Sequence, residues 1–139
     1  EARSSIIQEI EIAKGCNIVF ANVHFDYLPE VNGISIRLGQ AKALVEYLNS
    51  LNKPIIITGD FNCTPESATM QYFAEQGFVF VQKGKDNLSF QDEKKEEIDH
   101  LIYREANNVK FRKKSIHLLE EPIVSDHRPL VIELEVIYN

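Results

Sequence analysis

Two apolar runs constrain this chain more than any other feature. Residues 18–25 read IVFANVHF, and residues 55–62 read IIITGDFN. The first is a near-continuous apolar run, the pattern of a strand covered on both faces, and the second opens on three branched residues of the same kind. Each run closes on polar side chains two positions apart: Asn22 and His24 in one, Asp60 and Asn62 in the other. In an extended strand, residues i and i+2 project the same way. Each strand would therefore aim a polar pair off one end of a buried sheet, which is where sheets place functional groups.

The rest of the chain supplies the cover. SIIQEIEIA (5–13) alternates in part and reads as a strand, joined to the 18–25 run as an antiparallel hairpin through Gly15. Leu38, Ala41, Leu44, Val45, Leu48 and Leu51 follow helical spacing, and Asn52-Lys53-Pro54 ends that helix. TPES predicts a second helix capped by Thr64, with Pro65 in its first turn, running to Gln76 and stopped at Gly77. FVFVQ (78–82) is a short strand, and KGKDNLSFQDEKKEE reads as a solvated connection. IDHLIYR, VKFRKKSIHLL and PLVIELEVIY complete the strands. The fold class is α/β (α+β): one mostly antiparallel sheet with helices on one face.

With 139 residues, one domain is expected. A net charge of −6 argues against a broad nucleic-acid footprint, which needs clustered Lys and Arg. It leaves a metal-dependent nuclease open. KFRKK (110–114) could touch a polyanion, but a solvated strand edge is the stronger reading. Cys16 and Cys63 form no CxxC pair and read as free thiols. No stretch approaches the ~18 apolar residues of a membrane helix. The opening EARSS, without an initiator Met, suggests a start inside a longer protein.

A carboxylate beside a carboxamide suits a hard cation such as Mg²⁺, which takes oxygen ligands. Gly59 removes a side chain that would crowd the approach. The competing account is that Asp60 and Asn62 only form a turn. Recurrence weakens it. Asp99 sits among apolar neighbours in EIDHLIY and needs a partner or a metal. Asp126 and His127 stand together in SDHRP before the last strand. Four strands thus offer an Asp, Asn or His near an end.

The constellation NVHFD (22–26), RLGQ (37–40), GDFN (59–62), IDHLIY (98–103) and SDHRPL (125–130) resembles the endonuclease/exonuclease/phosphatase superfamily in order and spacing. The resemblance covers nearly the whole chain from residue 3. It implies a divalent-metal-dependent hydrolase of phosphate esters using Mg²⁺ (or Mn²⁺), with a phosphodiester as the leading substrate class. By the same resemblance, Asp60 and Asn62 position the water and the phosphate, with Asp60 near the metal. Asp126 is a metal ligand. His127 is the general base or orients the phosphate, and Asp99 orients a histidine or assists the metal. His24 faces the scissile phosphate, and Asn22 supports the site. Arg37 and Gln40, one helical turn apart, are substrate-binding or bracing residues; a plain surface patch is the alternative. His100 should face away from Asp99, and His117 the surface.

Superfamily domains are about twice this length. The resemblance therefore implies that residues 1–139 are a C-terminal half, matching the second half of a four-layer αββα sandwich. The N-terminal half, with its metal-binding Glu, is absent, so the fragment alone should be inactive. Expected partners are a phosphate ester (phospholipid head group, sugar phosphate or nucleic acid), the missing half of the domain, and a second copy through the exposed sheet face. The alternatives are a nuclease specifically, or a non-catalytic interaction module that keeps the fold.

Overall fold

The computed structural model describes residues 3–28, 35–120 and 124–138. Strands β1 (Ser5–Ala13), β2 (Cys16–His24), β3 (Ile55–Asp60), β4 (Val79–Phe80) and β5 (Asp99–Arg104) form a sheet in the order β1-β2-β3-β5-β4. β2 and β3 run parallel, and the other pairs are antiparallel. The parallel pair exists because helix α1 (Ile36–Leu51) lies between them as a crossover. Ser35 caps α1 by accepting the Leu38 N–H, and Asn52 ends it in a left-handed conformation, φ 46°.

Helix α2 (Ala68–Glu75) starts later than the TPES reading predicts. Ser67, not Thr64, is the cap and accepts the Met70 N–H. Residues 64–67 make a turn instead, with the Ser67 N–H donating to the Thr64 carbonyl. Gly77 does follow the helix at φ +82°, where its N–H closes on the Ala74 carbonyl.

Both helices cover one face of the sheet. Ala41, Leu44, Val45 and Leu48 of α1 and Met70 and Phe73 of α2 pack on Val19, Ala21, Val23, Ile55, Ile57 and Ile102. Phe25 and Phe61 continue this core past the strand ends, their rings 5.4 Å apart edge to face.

The opposite face carries the main correction to the single-sheet expectation. β6 (Lys110–Leu118) and β7 (Leu130–Ile137) pair with each other and not with the larger sheet. They lie across it, with Phe111, Ile132, Leu134 and Val136 facing Ile18, Ile56 and Leu101. The alternation of LVIELEVI explains this. A strand with one apolar side forms an outer layer, whereas the continuous runs of β2 and β3 need cover on both sides. Among the described residues, no helix is long and apolar enough to cross a membrane.

The segment between β4 and β5 is also not the solvated loop expected of its charges. Ser89 is fully buried, and Phe90 bridges to both Glu96 and His127. The KFRKK stretch does behave as a solvated edge: Arg112 and Lys114 pair with Glu135 on the exposed side of the hairpin. Both cysteines are free and buried.

Candidate active site

The register of the central strands brings the polar residues to one rim. His24 pairs with Asp60 across β2 and β3, and Asp60 pairs with Asp99 across β3 and β5. Paired residues share a face, so these three side chains form a row at one end of the sheet. The apolar neighbours fix the direction. Val23, Phe25 and Phe61 are buried under the helices, which turns the residues between them toward the β6–β7 side.

His127, just before β7, closes the row. Its Nδ1 lies 2.8 Å from an Asp99 carboxylate oxygen, and its Nε2 lies 3.8 Å from Asp60. His24 Nε2 is 3.4 Å from the same Asp60 oxygen. One ligand atom each from Asp60, Asp99 and His127 falls within 4.8 Å of the others. The three side chains are 16%, 18% and 28% exposed, sheltered yet open to solvent. His24, at 55%, stands on the outer lip, where Arg3 also contacts its ring.

Gathering two carboxylates has an electrostatic cost. Burial pushes the Asp60 carboxyl above its ordinary value, the Asn62 backbone N–H partly offsets this, and Asp99 adds to the rise. Burial would lower His127, but the hydrogen bond and charge of Asp99, with Asp60 and Asp126, hold it above 6.5. The donor set of two carboxylates and an imidazole fits a divalent cation, which would relieve that repulsion.

Asp60 and Asn62 do meet, but not by strand alternation. The strand stops at Asp60, and Asn62 adopts φ +51°. A tight turn forms in which the Asn62 N–H donates to Asp60 Oδ1 at 2.7 Å, while Asn62 Nδ2 donates to the Phe25 carbonyl at 2.9 Å. Turn and polar pair are therefore one feature. Asn22 lines the cleft between the sheets, which Asp99 also lines, and donates to Thr58 Oγ1. Asp126 is exposed and lies outside the three-residue group.

Arg37 and Gln40 reach the site through the backbone. Gln40 Oε1 accepts the Asp26 N–H at 2.9 Å, and Arg37 donates to the Tyr27 and Asp26 carbonyls. They brace the chain that leaves His24. His100 faces away from Asp99, fully buried, with Nε2 against the Cys63 carbonyl at 2.7 Å and Nδ1 against Lys83 Nζ at 3.1 Å. Glu97 accepts from Lys83 and Asn87. His117 is exposed.

Sequence reasoning missed Ser89 and Phe90. Ser89 Oγ accepts the Ile98 and Asp99 N–H groups, and the Phe90 ring centre lies 5.0 Å from that of His127. The available signal was one aromatic residue isolated in a charged stretch.

An α/β sandwich with an acid–imidazole cluster at a shared rim defines a hydrolase-like class of site. The chain belongs to the Endonuclease/Exonuclease/phosphatase family, whose model matches residues 3–127. Members of that family are hydrolases acting on phosphate esters, generally dependent on divalent metals. Carbon catabolite repressor protein 4 homolog 3 of Arabidopsis thaliana is 30% identical over 95 residues, covering 65% of this chain and 21% of that protein. The human Nocturnin catalytic domain with bound sulfate superposes with a TM-score of 0.78 at 20% identity, covering 97% of this chain and 53% of that one. An endonuclease/exonuclease/phosphatase from Bacteroides vulgatus gives 0.76 at 22% identity, covering 97% and 56%. The chain thus spans about half of those solved chains and about a fifth of the plant relative.

Proposed function

We propose that this chain carries one side of a divalent-metal phosphoesterase site, with phosphodiesters as the preferred substrate class. The observation that supports this reading is the convergence of Asp60, Asp99 and His127 within 4.8 Å, in a member of a family of phosphate-ester hydrolases. Asp60 and Asp99 would hold Mg²⁺ or Mn²⁺ with Asp126 as a further oxygen ligand, and His127 stands beside them as the base. When bound, the ion would supply charge stabilisation for the phosphoryl oxygens.

The protein's own groups do the proton work. Asp99 takes the Nδ1 proton of His127 in a hydrogen bond, which leaves Nε2 to face the site and accept a proton from water. His24, half exposed beside Asp60, is placed to donate to a leaving or non-bridging oxygen. Asn62 locks Asp60 and the end of β2 into one unit, so the carboxylate keeps its direction.

We also propose that the chain is the C-terminal half of its domain, the remainder supplying the other oxygen ligands. Its support is an open cleft of about 530 Å³ between the two sheets, continuous with Asp99. Ile6 and Ile10 of β1 are exposed on the same side of the sheet, Ile6 at 65%. A second copy would cover that face when the fragment stands alone.

The test is Mg²⁺-dependent hydrolysis by the full-length protein. Bis-p-nitrophenyl phosphate, p-nitrophenyl phosphate, an oligonucleotide, a sugar phosphate and a phospholipid serve as parallel substrates. Turnover of the diester, abolished by chelator and by Asp60→Ala or His127→Ala, is the expected result. Unchanged turnover in both variants would remove the site assignment.

A further inference from the structure

We propose that Ser89 is a positioning residue for the Asp99–His127 pair, with Phe90 as its second point of contact. The proposal rests on the phosphoesterase reading for its activity arm only. Asp99 and His127 come from chain segments that do not pair with each other as strands: Asp99 opens β5 in the large sheet, and His127 precedes β7 in the small one. Something must hold the two layers in register if a 2.8 Å bond is to join them.

The 89–91 segment lies between them and bonds to both. On the β5 side, the fully buried Ser89 hydroxyl accepts the Asp99 N–H at 3.0 Å and the Ile98 N–H at 3.2 Å. On the β7 side, the Ser89 carbonyl accepts the Arg128 N–H at 2.7 Å, and the Gln91 N–H donates to the Asp126 carbonyl at 2.8 Å. These two bonds bracket His127, and between them the Phe90 ring lies against the imidazole. Arg128 then anchors the assembly. Its guanidinium grips Asp86 through two hydrogen bonds and donates to the Leu118 carbonyl at the end of β6.

One hydroxyl thus fixes the backbone of Asp99, while the same residue's carbonyl fixes the residue after His127. Losing the hydroxyl frees one end of the pair and leaves the other in place. Misplacement of such a pair lowers the chemical step more than substrate binding.

The experiment uses the full-length protein with ¹⁵N-labelled histidine. The first readout is the proton NMR signal of the His127 Nδ1–H, identified by its loss in His127→Gln. The second is kcat and KM for bis-p-nitrophenyl phosphate with Mg²⁺. In Ser89→Ala, the Nδ1–H signal is expected to broaden into exchange, and kcat to fall on the order of tenfold with KM nearly unchanged. Ser89→Thr, which keeps the hydroxyl, restores both. A folded Ser89→Ala protein with the signal and kcat intact would overturn the proposal, as would equal losses in Ser89→Thr. If Ser89→Ala does not fold, Phe90→Leu decides: a weakened signal and lower kcat support the assignment, and unchanged values refute it. An inactive wild type whose Nδ1–H signal still depends on Ser89 would sink the phosphoesterase reading and leave the positioning role standing.

Discussion

Asp99 and His127 are 28 positions apart, and a 2.8 Å hydrogen bond between the carboxylate and Nδ1 joins them across two separate sheets. That bond fixes which imidazole nitrogen faces the site. Asp99→Asn keeps the shape but removes the charge that holds the Nδ1 proton in place. In the full-length protein it should lower kcat by about 10²- to 10⁴-fold, the usual worth of a positioned general base. Steady-state kinetics with KM measured alongside is the check. A loss confined to KM would mean that the pair binds substrate and does not move protons.

Asp60 carries the opposite stability logic. Its carboxyl is raised mainly by burial and further by Asp99. A group raised in the fold lends stability below its unfolded value and loses it as pH climbs through the folded one. Above its folded value the ionised Asp60 therefore works against the metal-free fold. Asp60→Asn should melt higher than wild type in chelator, and Mg²⁺ should raise the melting temperature of wild type alone. Thermal melts with and without metal test both halves. A Mg²⁺ response that survives in Asp60→Asn would place the ion elsewhere.

What the sequence made legible was the set of groups that the strands deliver. IVFANVHF and IIITGDFN announce buried strands, and their polar ends do share a rim through the pairing of His24 with Asp60. The β6–β7 layer was legible in principle, because LVIELEVI alternates while the central strands do not. What could not be read was the tertiary content of 83–97. Its charges point to solvent, yet Lys83 is neutralised by Glu97 and Ser89 is buried by contacts with β5 and the approach to β7. Local composition carries no information about a partner so far along the chain. The Asp60–Asn62 pair was reached by strand alternation, although a left-handed Asn and a turn produce it.

Gly59 offers a direct test of the packing beneath the site. It has φ +131°, and a Cβ there would lie 2.0 Å from the Val23 carbonyl oxygen. That oxygen belongs to the backbone of β2 and cannot swing aside as a side chain would. Gly59→Ala thus combines a clash with a backbone conformation that L residues avoid. It should cost about 3 kcal/mol or more, well above an ordinary surface change. Urea unfolding measures this. A cost below about 1 kcal/mol would show that β2 and β3 are not in such close contact.

His100 sets a separate sensitivity to acid. Burial, with the neighbouring Lys83 charge, pushes its imidazole down from 6.5 to about 3, although the Cys63 carbonyl favours the protonated form. The folded protein thus holds His100 neutral while the unfolded chain takes up a proton near 6.5. Stability from this group is complete above that value and is lost as pH falls toward 3. Between pH 7 and pH 5 the loss should be about 2 kcal/mol, from roughly 1.4 kcal/mol per pH unit below the unfolded value. His100→Gln retains an amide donor for the Cys63 carbonyl and removes the titrating group, so its urea stability should change less over the same interval. Equal slopes in the two proteins would mean that His100 is protonated inside the fold, with the Lys83–Glu97 pair rearranged to accept the charge.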